Sequence, residues 1–516
     1  MQQSRAIIRI KKWGNFLILT AIIIELLIWP SIANLTGCGM TWICWNVFSR
    51  LGLNETHIRE HFFGWLVFLS MSLYRILPLL ATMLEGHSIG YNFVVPIATY
   101  IGETILYLIS ALAFYWAVNC KNALSGLKTF LDKCGFYDRI SDKQVWLLGF
   151  IGLIIKVYIM SAHVQIGDVV GKTLQGFTFF QYAPLMLFFP ALYQKRQNNC
   201  RIIIFNKLGG VYFLFTILLA FATNSRYAIL EPFGTFALLF LLSYIQYPLE
   251  LRSKIGKKYI VFGLLAIVFV IPFVSDVSLA MLANRNIRGS VSKTELFSKT
   301  IDTYFDDDKM ATLRKMKEII GIKVIRENKE EWSEKYVDNF ALNRYCNMRV
   351  TDNTLYHAQK VGFANLEMYA NFWNDIIVLL PTPILNFLKI THNKNERYSH
   401  GDMLKSLSTG HTIFKSYLVT SHLADGLVTF GYFYFPIEFI LFFLRFLFLD
   451  TFLIKRGHRI FYSVFGLITI FSFLAMFRNA GGCCDSLPYL LRGYWQNIIL
   501  YLIGFFFLMK TPFIRI

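Results

Sequence analysis

Apolar residues in this sequence form long runs that alternate with short polar segments. A helix needs about 20 apolar residues to cross about 30 Å of hydrocarbon at 1.5 Å per residue. Runs near that length predict eleven spans, at residues 15–34, 61–84, 97–117, 145–162, 177–194, 208–223, 227–246, 259–280, 427–449, 460–477 and 494–510. The pattern therefore predicts an all-α polytopic membrane protein.

The composition agrees with a membrane protein and excludes a soluble enzyme. Of the 516 residues, 55% are hydrophobic and 16% are charged, whereas about 25% are charged in an ordinary soluble domain. The 50 Phe and 27 Tyr exceed what one water-soluble core needs. None of the eight cysteines has the spacing of metal ligands, so we expect neither a metal nor another cofactor.

The distribution of Lys and Arg predicts the orientation, because cytoplasmic loops retain cations. One set of alternate loops holds eighteen Lys and Arg, and the opposite short loops hold four. We therefore assign the net charge of +19 to loops at the lipid surface, not to nucleic-acid binding. A basic N-terminus on the same side as the C-terminus requires a twelfth span, and residues 36–50 are its candidate.

One external segment, residues 281–426, differs from the other loops. It holds 20 Lys and Arg and 17 Asp and Glu, which indicates a folded, water-exposed unit. This divides the chain into an N-terminal bundle at 1–280, the large loop, and a C-terminal bundle at 427–516. Within the loop we predict an amphipathic helix over 313–336. The apolar stretch 376–390 is too short to span, so we expect it in or at the membrane surface.

Charged residues inside the predicted spans are candidate functional positions, because a charge at the bilayer centre costs about 3 kcal/mol. Arg75, Glu103 and Glu231 lie in the external half of their spans under this topology. Arg75 and Glu103 could also simply neutralise each other. Arg226, in the turn TNSRY, would present a planar guanidinium that suits a phosphate or pyrophosphate, or would anchor to lipid headgroups.

The large loop and the last external turns supply further candidates. Basic residues near the membrane surface could bind a lipid pyrophosphate, and the candidates in the loop are Arg285, Arg288, Arg344 and Arg349. Further candidates for substrate binding are Arg75, Glu231, Arg478 and Arg492. A sugar hydroxyl that attacks an anomeric carbon needs a general base, for which the candidates are Asp352, Glu367, His411, His422 and Asp425. Each could equally be an ordinary solvated residue of a large loop.

Four short segments resemble those of O-antigen polymerases, the oligosaccharide repeat-unit polymerases of bacterial envelopes. They are NSRYAILEPFGTFALL, LLPTPILNFLKITHNKN, SHLADGLVTFGYFYFPIEFILFFL and LPYLLRGYWQNIILYL, in that order between about residues 145 and 510. The usual Pro-Arg pair of the second segment is absent, and Lys389 or Lys394 would replace its arginine only in part.

The resemblance implies a metal-independent glycosyltransferase of the bacterial inner membrane, with both termini cytoplasmic and the large loop periplasmic. Its substrate would be a polyprenyl-pyrophosphate-linked oligosaccharide, polymerised into O-antigen, capsule or exopolysaccharide. Carried onto this chain, the catalytic positions are Arg226, Arg288, Arg349 and Asp425, and His422 joins them as a candidate general base. Partners would be membrane lipids and, from the same pathway, a chain-length regulator and a flippase.

Two alternatives remain open at this point. One is an O-antigen ligase or another lipid-carrier glycosyltransferase. The other is a lipid-linked oligosaccharide flippase, although transporters usually carry inverted repeats and charges near the midplane, which this sequence does not show.

Overall fold

The structure is a computed structural model of the 516-residue chain. It describes residues 5–120, 122–161, 169–194, 206–222, 226–247, 276–277, 279–284, 293–316, 331–380, 382–390, 398–457, 459–477 and 481–510. The predicted span 259–280 lies almost entirely outside these residues.

The described part is predominantly helical. The first helices are α1 (Arg5–Ile28), α2 (Ile32–Leu51), α3 (Glu55–Glu60), α4 (Phe62–Leu84), α5 (Pro96–Asn119), α6 (Ser125–Lys133), α7 (Asp142–Ser161), α8 (Val169–Gln175), α9 (Lys207–Ala222) and α10 (Arg226–Gln246). The next are α11 (Lys293–Phe305), α12 (307–316), α13 (Phe340–Cys346), α14 (Arg349–Val361), α15 (Leu366–Val378), α16 (Thr382–Phe387) and α17 (His400–Thr409). The last are α18 (His422–Phe430), α19 (Tyr434–Leu449), α20 (Val464–Ile468), α21 (Ile470–Leu474), α22 (Ser486–Pro488) and α23 (Tyr494–Lys510).

Within these residues, five helical stretches are long and apolar enough to cross a membrane: Phe62–Leu84, Pro96–Asn119, Asp142–Ser161, Tyr227–Gln246 and His422–Phe452. Each falls on a span that hydropathy predicts, so an all-α membrane protein is the class that the fold supports. The count of twelve spans stays a prediction.

The chain divides into two compact units, each made of several sequence segments. Unit 1 comprises Met1–Ala123, Val324–Asp450 and Leu474–Trp495. Unit 2 comprises Leu124–Lys323, Thr451–Phe473 and Gln496–Ile516. The large loop therefore contributes residues to both units, whereas the three-part division by topology treats it as one segment.

In unit 1, α2 and α19 both pack on α5. Pro96 opens α5, where a missing N–H is harmless because the first helical N–H groups have no intrahelical acceptor. Pro30 lies in the break between α1 and α2, and Ser31 caps α2 by accepting the N–H of Asn34 at 3.1 Å. The predicted twelfth span at 36–50 is thus helical, as part of α2.

In unit 2, α7 packs against an 11-residue 3₁₀ helix, Thr178–Phe188. A regular span predicted at 177–194 is wrong here, because the structure forms 3₁₀ turns around Pro184 and up to Pro190. A proline has no N–H for the α-helical ladder. A small apolar cluster in the same unit joins α9, α10 and residues near Val277 and Met281.

The predicted span at 460–477 is also wrong as a single helix. Strands β1 (Leu453–Arg456) and β2 (Arg459–Tyr462) pair antiparallel, with Leu453 opposite Tyr462, and the short helices α20 and α21 follow. Ser463 caps α20 by accepting the N–H of Gly466 at 3.1 Å, which turns the chain into a new helix. A hydropathy profile alone does not predict such a cap.

The large loop contains several helices of its own. The amphipathic helix expected over 313–336 is wrong at its C-terminal end, because residues 331–339 are not helical, and 317–330 lie outside the described residues. The apolar stretch 376–390 holds the end of α15 and all of α16. It forms no long helix, as its two prolines predict.

Candidate functional site

A buried ion pair links two membrane-spanning helices of unit 1 to the large loop. Arg75 on α4 donates to Glu103 on α5 at 2.6 Å, and both side chains are about 1% exposed. The second oxygen of Glu103 accepts from Thr351 of α14 at 2.8 Å. Arg75 also stacks over Phe477 at 5.1 Å from the ring centre. The charge of Arg75 is therefore neutralised inside the protein.

A second buried carboxylate fixes the start of α14. Asp352 accepts hydrogen bonds from the backbone N–H groups of Val94 and Val95, each at 2.8 Å. It also accepts a hydrogen bond from the charged guanidinium of Arg349 at 3.0 Å. Arg349 donates further to the carbonyl of Asn92. Burial raises the pKa of Asp352 above its ordinary value, although these donors oppose the rise. Arg349 and Asp352 thus fasten the loop to the chain before α5.

The predicted residue Asp425 lies in the first turn of α18 and is fully buried. Its Oδ1 is 2.7 Å from Nδ1 of His400, and its Oδ2 accepts the backbone N–H of Cys483 at 2.9 Å. A Cβ on Gly482 would lie 2.6 Å from that Oδ2, so only glycine fits at this position. The Asp425 carboxylate is therefore held in one orientation, facing an imidazole.

His400 is the first residue of α17, and the surrounding backbone is firmly held. Ser399 caps this helix by accepting the N–H of Asp402 at 3.1 Å. The buried carboxylate of Asp402 accepts three successive N–H groups from Ser416, Tyr417 and Leu418, at 3.0 to 3.1 Å. The loop that leads to α18 is thereby tied to the helix that carries His400.

The outer nitrogen of His400 faces a less buried acid. Its Nε2 lies 3.4 Å from Oδ2 of Asp375 on α15, whose side chain is 20% exposed. Four residues further along, the carbonyl of Leu379 accepts from Arg492 at 3.3 Å, and Arg492 is exposed. Residues four apart on a helix are neighbours at about 6 Å. His400 and Arg492 therefore both contact the C-terminal end of α15.

This arrangement has the parts of a general base. An imidazole that donates its Nδ1–H to a buried carboxylate keeps Nε2 as the basic nitrogen. The carboxylate also stabilises the imidazolium that forms after proton uptake. The Asp425–His400 pair can therefore accept a proton at Nε2, where the carboxylate of Asp375 at 3.4 Å also stabilises it.

The other predicted residues lie in several places. His422 of α18 faces Glu438 of α19, with 3.6 Å between Nδ1 and Oε1. Arg344 is exposed, and its carbonyl accepts from Tyr74 at 2.7 Å. Glu231, in unit 2, accepts from Tyr182 at 2.7 Å.

Arg226 opens α10, but its side chain lies outside what the structure describes. The same holds for the whole of three other predicted residues, Arg285, Arg288 and Arg478. Their roles stay predictions.

The sequence analysis did not select His400, Asp375 or Glu438 as site residues. The signal at His400 was weak: Ser399 and Asp402 form a helix-start pattern in YSHGD. Asp375 carried no local signal, because its partner is 25 residues away. Glu438 is a charged residue within the predicted span 427–449, but its partner is 16 residues away and could not be identified from sequence.

Among the described residues, no group of three or more His, Cys, Asp or Glu side chains is arranged to hold a metal ion. Comparison with family models, with curated proteins and with solved structures gave no match.

Proposed function

We propose that this chain is an integral membrane glycosyltransferase that polymerises polyprenyl-pyrophosphate-linked oligosaccharide repeat units. The observation that carries the proposal is the buried Asp425–His400 pair, which opens towards Asp375 in the region of the exposed Arg492. A base and a cation together suit the transfer of a sugar from a pyrophosphate. The order of motifs described above supports this chemistry independently.

In the proposed reaction, the acceptor sugar hydroxyl gives its proton to Nε2 of His400. The acceptor oxygen forms a new bond to the anomeric carbon of the donor glycan. The bond from that carbon to the pyrophosphate breaks, and its electron pair leaves with the carrier lipid. A nearby guanidinium such as that of Arg492 stabilises the negative charge that develops on the leaving group.

The position of the pair in the chain supports a substrate on a lipid carrier. The pair stands at the start of the candidate span His422–Phe452, so a group held there is next to hydrocarbon. Holding two lipid-linked ends in one leaflet converts a slow encounter into an oriented one. This supports a substrate that is anchored in the membrane.

The test replaces the gene by a His400→Gln variant and resolves the surface glycan on a gel. Loss of a general base costs about 10²- to 10⁴-fold in rate. We expect the polymer ladder to disappear and single repeat units to accumulate on the carrier. His87→Gln is the matched control, because His87 stacks on Tyr91 between α4 and α5 and lies outside the Asp425–His400 pair. A normal ladder with His400→Gln contradicts the proposal.

The alternatives give different glycans in the same experiment. A ligase variant leaves long polymer on the carrier lipid, while a flippase variant leaves repeat units on the cytoplasmic face. One observation favours the flippase: a buried group of ionisable residues lies within the span His422–Phe452, where transporters often place such groups.

A further inference from the structure

We propose that His422 and Glu438 form a proton-binding site inside the membrane-spanning part of unit 1. The proposal concerns a site apart from the Asp425–His400 pair. It does not depend on the glycosyltransferase activity.

The pair is fully enclosed. His422 is 1% exposed and Glu438 is 0% exposed, and Phe477 stacks on the imidazole at 4.9 Å between ring centres. Among the described residues, neither ring nitrogen of His422 and neither oxygen of Glu438 has a hydrogen-bond partner. Their closest approach is 3.6 Å, just beyond hydrogen-bond distance.

Four unsatisfied polar atoms in such a place are costly. A buried polar atom without a hydrogen bond costs about 1–3 kcal/mol, and more if it is charged. One proton shared between the imidazole and the carboxylate removes much of this cost, because it creates a charge-assisted hydrogen bond. A movement of about 1 Å brings the two groups to bonding distance.

The charges around the pair also favour one additional proton. The neighbouring ionisable groups are Tyr434 and Arg445 on α19, Asp425 on α18, Arg75 on α4, Glu103 on α5, and Cys483, Asp485 and Tyr489 in the segment after α21. The two arginines balance two of the three buried carboxylates Glu103, Asp425 and Glu438. With a neutral His400 on Asp425, one negative charge remains, which a proton on His422 balances.

A route connects the pair to the surface. Tyr434 lies one helical turn from Glu438, is fully buried, and is within electrostatic range of both Glu438 and Asp425. Among the described residues, its hydroxyl has no hydrogen-bond partner, so it is free to turn towards either acid. Asp425 leads on to His400 and to the partly exposed Asp375. A proton bound at the site can exchange with the surface along this series of side chains.

The test is nitrogen NMR on the full chain in lipid nanodiscs, with ¹⁵N-labelled histidine. Doubly protonated and neutral imidazoles have distinct nitrogen shifts. The signal of His422 is identified as the one that disappears in His422→Gln. At neutral pH we expect it to be the signal of a doubly protonated ring. In Glu438→Gln, which keeps the side-chain volume, this ring should become neutral.

His357→Gln provides the matched control. His357 is 4% exposed, but its Nδ1 contacts the hydroxyl of Ser408 at 2.8 Å, not a carboxylate. Its removal should leave the His422 signal unchanged. A neutral His422 ring in the unaltered protein would overturn the proposal, as would a charged ring that persists in Glu438→Gln. If His422→Gln does not fold, the loss of one charged signal in Glu438→Gln decides the question.

Discussion

The two units of this protein differ in what they bury. Among the described residues, every charged side chain that is fully buried lies in unit 1, including Arg75, Glu103, Asp352, Asp425 and Glu438. The fully buried polar residues described in unit 2 are uncharged, such as Gln144, Gln181 and Thr235. Intramembrane charges are expensive and usually functional. The difference therefore makes unit 1 the first place to test for a functional site.

Unit 2 is built mainly by close packing of apolar surfaces. Phe136, Phe452, Phe465 and Tyr501 form a group of rings with centres 5.3 to 6.3 Å apart. Gly149 and Gly152 let α7 approach the 3₁₀ helix so closely that a Cβ would collide with it. Small residues at such contacts are typical of helix packing in membranes. We expect substitutions in this unit to act on stability.

The largest expected effect is that of Glu103→Ala in unit 1. It leaves Arg75 buried without its counter-ion, which costs about 3–5 kcal/mol of the free energy of unfolding. Thermal unfolding in detergent micelles measures the loss. The double change Arg75→Met with Glu103→Leu should recover much of it, because no charge then remains buried. Equal destabilisation by the single and the double change would show that the pair is not the cause.

A smaller effect, on activity, is expected from Gly482→Ala. The new methyl group displaces the Asp425 carboxylate and so misorients His400. A misplacement of about 1 Å can cost about 10²-fold in rate. Incorporation of radiolabelled sugar into polymer by isolated membranes measures it, with Gly39→Ala in α2 as a control that changes a glycine with open space around its Cβ position. Activity equal to that of the unaltered chain would show that Gly482 does not control the orientation of His400.

The smallest expected effect is that of Gly152→Ala in unit 2. Its Cβ would lie 2.1 Å from the backbone nitrogen of Gln181, and overpacking of this kind costs about 1–3 kcal/mol. We expect a lower melting temperature but unchanged activity per folded molecule. Gly210→Ala in α9, where nothing lies within 4 Å, is the matched control. A variant that folds normally but loses activity would place chemistry in unit 2 as well.

Sequence patterns located part of the candidate site. His422 and Asp425 were selected as candidate general bases, and Asp425 also because its segment resembles a polymerase motif. The structure places both on one helix, α18. Arg75 and Glu103 were recognised as possible partners, and the structure pairs them. Thr351, the loop partner of Glu103, and His400, the loop partner of Asp425, could not be identified among the many polar residues of that loop.

The sequence by itself determined where the apolar helices α4, α5, α7, α10 and α19 lie, because a run of apolar residues near 20 long is a local property that needs no partner. Only the tertiary structure decided that residues 460–477 form a strand and two short helices. It also decided which carboxylate faces which cation or imidazole. The Arg75–Glu103, His400–Asp425 and His422–Glu438 contacts join residues 28, 25 and 16 positions apart. Their energy comes from burial in a shared low-dielectric interior that no local pattern records.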